Sequence, residues 1–142
     1  MTSEEEVRQA SDQFYAALNS VFAGDIAPME DIWSHGPDVM TMHPLGGRQL
    51  GWEKVRESWE QVAGAISSGQ VTATGLRISV LGDVAFTICV ERGQVEVGGE
   101  TIEINIRATG IYRRENGQWK KVFHHSDIDP ALQEAIERRQ VA

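Results

Sequence analysis

Residues able to do chemistry gather near the end of the chain. In Gly117-Gln-Trp-Lys-Lys-Val-Phe-His-His-Ser126, followed by Asp127, two histidines stand side by side and a carboxylate follows two residues after the second. Side chains alternate across an extended strand. Strict alternation puts His125 and Asp127 on one face with Trp119, Lys121 and Phe123, and His124 with Ser126 on the other. An imidazole and a carboxylate two apart on one face can form an oriented acid–base pair. The expectation is that His125 faces the interior, Asp127 orients it, and His124 faces outward. His43 is the second candidate. It opens the turn-rich loop His43-Pro-Leu-Gly-Gly47, and a histidine near neutral pH is a competent general base. The same position also suits a histidine that caps a turn beside Pro44. Arg107 is the third, sharing a strand face with Asn105 and Thr109. An arginine in mid-strand must reach solvent, a carboxylate or a ligand. Either it meets an anionic ligand inside, or it pairs with Glu91 or Glu103 outside.

The elements that must position these groups are legible in the hydrophobic spacing. Ser3-Glu-Glu-Glu6 reads as a capping box that opens a helix over 4–23, with Val7, Phe14, Leu18, Val21 and Phe22 on one stripe. Pro28 opens a second, short helix carrying Met29, Ile32 and Trp33. Val39 to Met42 is a short strand. Gly51 to Ile66 is a third helix, with Trp52, Val55, Trp59, Val62 and Ile66 on its buried stripe. Period-two alternation then takes over: Leu76 to Val80, Val84 to Val90, Ile102 to Tyr112, and Trp119 to Ser126. Gly98-Gly99 and Asn116-Gly117 are hairpin turns between them. Pro130 to Arg139 is a short C-terminal helix or a frayed tail. Helices first and hairpins after mean α+β rather than a doubly wound sheet. With no repeat and no linker, residues 1–142 read as one domain.

Composition narrows the function. Thirteen Lys plus Arg against 21 Asp plus Glu give a formal charge of −8, which repels phosphate backbones, so nucleic acid is not an expected partner. Cys89 is the only cysteine and sits in an apolar run, so a buried, inert thiol is expected. The acidic start, Met1-Thr-Ser-Glu-Glu-Glu6, has no apolar signal core, and no apolar run is long enough to span a bilayer. The expected location is the cytoplasm, with no membrane partner.

Three strings carry a family resemblance: Phe14-Tyr-Ala-Ala-Leu-Asn19 followed by Gly24-Asp25, Met42-His-Pro-Leu-Gly46, and Gly117 to Ser126. In this order they resemble the nuclear-transport-factor-two-like superfamily, in its SnoaL-like and ketosteroid-isomerase-like branch. The last string is also similar to the association domain of calcium/calmodulin-dependent kinases. The resemblance implies a cone-shaped, curved antiparallel or mixed sheet packed on three N-terminal helices, with a small-molecule cavity inside and a homodimer formed through the outer sheet face. It aligns His43 with the isomerases' proton-moving carboxylate. It puts Phe14, which has no hydroxyl, at their oxyanion tyrosine, with Tyr15 one residue round the helix, and it puts Ala108, Thr109 and Gly110 near their second donor. The known steroid chemistry therefore lacks both donors here. The expected site is His43, His125 and Asp127 for catalysis, with Tyr15, Trp33, Met40, Trp59, Asn105, Arg107 and Phe123 around an apolar or carboxylated ligand. No metal or other cofactor is expected. Two functions follow: a cofactor-free isomerase, cyclase or hydratase using histidine acid–base chemistry, or a non-catalytic module that binds a small carboxylate through Arg107.

Overall fold

A computed structural model describes residues 1–141. Helix α1 spans Ser3–Phe22. Its capping box lies one residue earlier than the spacing predicts, with the Thr2 hydroxyl accepting from the Glu5 amide and the Glu5 carboxylate accepting from the Thr2 amide. Ser3 is already helical, and its hydroxyl accepts from Arg114 instead. Helix α2 is Ala27–Ile32, opened by Pro28, and α3 is Trp52–Ala65. The loop expected after His43 is a hairpin: β1 is Met40–His43 and β2 is Gly46–Leu50, with Gly46 and Gly47 at positive φ. Four long strands follow: β3 (Ser68–Leu81), β4 (Val84–Val97), β5 (Glu100–Glu115) and β6 (Gln118–Ser126). Helix α4, Pro130–Val141, ends the described chain.

The six strands form one open sheet in the order β2-β1-β6-β5-β4-β3. Neighbours are antiparallel except β1 and β6, which run parallel, so the sheet is mixed. The two-residue Asn116-Gly117 turn places both residues at positive φ, the geometry that suits the twist of a tight hairpin. The sheet curves over α1 and α3. Phe14, Val21, Val55 and Trp59 from the helices meet Val71, Val95, Ile104 and Ile106 from its inner face. Asn19 of α1 fastens this contact, donating to the Val71 carbonyl and accepting from the Val71 amide. The architecture is the expected α+β fold with N-terminal helices under a curved sheet.

One irregularity decides the site. In the β5–β6 ladder Tyr112 pairs with Lys121 and Ile111 pairs with Phe123, so Val122 is an extra residue, a β-bulge. A bulge resets alternation. Trp119 and Lys121 point inward before it, and His124 and Ser126 point inward after it. No helix of the described residues is long and apolar enough to cross a membrane.

Candidate functional site

The cup between helices and sheet holds a narrow cavity of ≈ 60 Å³. Most of its wall is apolar, from Phe14, Leu18, Trp59, Val62, Ile104 and Leu132 among others. Four polar residues break that wall: His43, Glu91, His124 and Ser126.

Glu91 organises them. Its strand, β4, turns Ala85, Thr87, Cys89 and Glu91 inward, leaving Glu91 only 4% exposed. Three donors reach its carboxylate: Tyr15 Oη at 2.8 Å, His124 Nε2 at 3.1 Å, and Ser126 Oγ at 3.2 Å. Burial pushes the Glu91 carboxyl up, but hydrogen bonds from His124 and Tyr15, with the positive charge of Lys121, outweigh it and hold the group below its ordinary range. Burial and the Glu91 charge together drive the Tyr15 phenol far up, so Tyr15 keeps its proton and donates. Burial, helped by the Lys121 charge, takes His124 down to about 4 against the pull of Glu91. At neutral pH the pair is therefore an ionised carboxylate and a neutral imidazole whose Nε2–H it accepts. That bond leaves His124 Nδ1 as a lone pair, buried and without a hydrogen-bond partner. Thr41, beside it in register on β1, also has a buried Oγ1 without a partner.

His43 completes the set from β1. Its Nε2 lies 2.8 Å from Ser58 Oγ, and the Ser58 hydroxyl donates to the Val55 carbonyl at 2.6 Å. With its one proton used there, Ser58 can only accept, so His43 carries its hydrogen on Nε2 and its Nδ1 is free to act as a base. Trp59 stands edge-on against the ring, with centroids 4.6 Å apart. Burial first, and then His124, lowers His43 to about 4. Two neutral imidazoles, one backed by a carboxylate, thus share one apolar cavity.

The structure corrects several expectations. His125, not His124, is the outward histidine, because the Val122 bulge shifts the alternation by one. Asp127 does not orient an imidazole in the cup. It takes Arg107 in a bidentate pair on the outer face, with Nε to Oδ2 at 2.8 Å and Nη2 to Oδ1 at 3.2 Å. The Arg107 side chain is 83% exposed there, and Asn105 shares that outward face because Ile104, Ile106 and Ala108 fill the inner one. A carboxylated ligand held by Arg107 inside the cup is therefore not what the fold provides. Met40 and Phe123 are paired neighbours on the outer face, opposite Thr41 and His124. Trp33 is core, bridged to Lys121 where α2 ends, and away from the cavity. Tyr15 reaches the site through Glu91 rather than by lining the cavity, while Phe14 lines it. Of the expected ligand contacts Trp59 lines the cavity, and of the expected catalytic groups His43 does.

Glu91, Ser58 and Ser126 are the residues sequence reasoning missed. For Glu91 the signal was present. On β4 the small and polar residues alternate with Val84, Phe86 and Ile88, and the apolar set is the exposed one. The rule that apolar means inward inverts over residues 84–88 and holds again at Val95 and Val97.

The SnoaL-like domain family matches residues 7–128. A candidate dehydratase of the nuclear-transport-factor-two-like family from Streptomyces avermitilis is 26% identical, with a TM-score of 0.78 over 89% of this chain and 95% of that one. A candidate association domain of calcium/calmodulin-dependent protein kinase type II from Thiobacillus denitrificans is 28% identical, with a TM-score of 0.73 over 86% and 94%. A candidate ketosteroid isomerase from Shewanella frigidimarina shares the fold at 17% identity, with a TM-score of 0.68 over 84% and 92%. No curated protein matches the chain. The fold is a ligand-binding and isomerase-type scaffold.

The buried histidines set a pH dependence. Folded, both rings stay neutral down to about 4, whereas an unfolded chain charges them near 6.5. Between those values the folded state holds fewer protons, so this stability is complete above pH 6.5 and is lost as pH falls toward 4. The expected loss is on the order of 3 kcal/mol per histidine. Urea unfolding at stepped pH checks it: the decline should begin near 6.5 and shrink by about half in His43→Gln. A flat stability down to the carboxylate range would refute the neutral, buried rings.

Proposed function

The chain belongs to the SnoaL-like family, and from that premise we propose that it is a cofactor-free acid–base enzyme of the isomerase or dehydratase type. The observation that carries this is the Glu91–His124 pair, a carboxylate and an imidazole bonded to each other in the wall of an apolar cavity that His43 also lines. His124, oriented by Glu91, removes a proton from carbon beside a carbonyl. His124 then returns that proton, to the neighbouring carbon in an isomerisation or to the departing hydroxyl in a dehydration, which leaves as water, while the His43 Nδ1 lone pair accepts the hydrogen of the substrate hydroxyl or enol. The wall around them presents a negative carboxylate and no arginine. The reading therefore favours a small, neutral, largely apolar ketone or hydroxyketone over a carboxylate. The 26% identical candidate dehydratase supports the same class of reaction.

A panel of small neutral ketones and β-hydroxyketones in D₂O, followed by NMR, tests this reading through exchange of the α hydrogen and loss of water. The chain should accelerate one or both. His43→Gln and His124→Gln should each cost about 10²- to 10⁴-fold, while His125→Gln and Arg107→Ala should leave the rate as it is. No acceleration with any member, or an equal loss in His125→Gln, would overturn it.

We also propose that a second copy covers the outer sheet face. Val84, Phe86 and Ile88 stand there 39–48% exposed, a contiguous apolar set of the kind that marks an association surface. Sedimentation should show a dimer, and Phe86→Asp should weaken it by about ten-fold or more. A wild-type monomer at working concentration would refute this.

A further inference from the structure

Lys121 is buried, 1% exposed, behind the cavity wall. None of the ion pairs among the described residues includes it. Its Nζ stands 3.3 Å over the centroid of the Phe14 ring and donates to Tyr112 Oη at 3.4 Å. The other side of this pocket is shaped for it. A Cβ at Gly110 would lie 3.1 Å from Lys121 Nζ and 2.9 Å from Thr87 Oγ1, so the missing side chain at 110 is what gives the ammonium room. Phe14 is also the residue that links this niche to the site, since its ring packs on His124 with centroids 4.7 Å apart and lines the cavity.

We propose that Lys121 is the internal counter-ion of the cavity, a positioning residue that acts on Glu91 and His124 from behind Phe14 and determines which of the site's groups carries charge.

A lone ammonium in such surroundings is costly unless something compensates. The compensation here has two parts: the face of Phe14, a cation–π contact, and the Glu91 carboxylate across the interior. The titratable groups around Lys121 are Cys89 and Glu91 from β4, Tyr112 from β5 and His124 from β6, with His43 of β1 beyond His124. Among these Glu91 is the one anion at neutral pH. Burial lowers the Lys121 ammonium to about 7, and Glu91 and then Cys89 oppose that fall. In return Lys121 holds Glu91 down and His124 down. A charged Lys121 therefore favours the ionised carboxylate and the neutral imidazole, which is the state in which His124 has a lone pair to use. The inference rests on the placement of Glu91 and His124 in the proposed site and not on turnover, so it can be tested on a chain that turns nothing over.

The test is an NMR pH titration of the full chain. There are three lysines, Lys54, Lys120 and Lys121, so their side-chain carbon signals are assigned by single substitution. Lys121 should titrate near 7, well below the ordinary 10.5. In Glu91→Gln its midpoint should fall by about one unit, a ten-fold rise in acid dissociation constant, whereas Glu103→Gln on the outer face should not move it. Should Glu91→Gln fail to fold, Lys121→Met supplies the reciprocal reading: the His124 ring signal should titrate about one unit higher, and Lys121→Arg should restore it. A Lys121 midpoint at the ordinary 10.5, or one that is the same with and without Glu91, overturns the proposal, as does an unchanged His124 in folded Lys121→Met.

Discussion

A carboxylate taken out of water stays charged only where hydrogen-bond donors replace the water it has lost. The architecture around Glu91 answers that requirement. Its three donors come from separate parts of the chain, Tyr15 from α1 and His124 with Ser126 from β6, while Glu91 itself stands on β4. The three bonds therefore join helix and sheet across the cup. They also fix the imidazole: with Nε2 committed to Glu91, the ring's orientation and tautomer follow. Removing the carboxylate would leave a buried phenol and a buried hydroxyl without that acceptor, so Glu91 supports the fold as well as orienting the ring.

The rest of the cup supports this one interaction. Apolar walls keep water away, which strengthens the hydrogen bonds and lowers both histidines. His43 is held by a relay that begins at a backbone carbonyl, Val55 to Ser58 to the ring, so α3 sets the orientation of a β1 side chain. The Val122 bulge turns His124 and Ser126 toward Glu91 at the place where β1 joins β6 in parallel. Without the extra residue, His125 and Asp127 would face inward and the donors would face solvent.

Much of this was readable from residue order alone. The stripe Val7, Phe14, Leu18, Val21 specified α1, the Trp52 to Ile66 periodicity specified α3, and Asn116-Gly117 specified its hairpin, because each depends on local spacing and turn chemistry. The α+β class followed from helices preceding strands. The site was legible in its chemistry but not in its location. An imidazole oriented by a carboxylate was expected as His125–Asp127 and is found as His124–Glu91. A bulge has no composition of its own, and a shift of one residue exchanges every inward and outward side chain. Glu91 enters the sequence reading only as an outer-face alternative for Arg107, because over residues 84–88 its strand carries the apolar residues outside. That inversion reflects an apolar patch on the outer face of the sheet, and period-two patterning cannot distinguish such a face from a core face. Strand β2 was not legible because two glycines there suggest a turn and not the strand that leaves it.

The central claim is that Glu91 is an ionised, buried carboxylate held by protein donors. The most direct measurement is the side-chain carboxyl carbon of Glu91 in an NMR pH titration, assigned by its loss in Glu91→Gln. The account predicts a carboxylate signal throughout the neutral range, with a midpoint below the ordinary 4.5. A midpoint above that value would contradict it, because Glu91 would then be held as an acid by burial, and His124 would lack the charged partner on which the proposed chemistry rests.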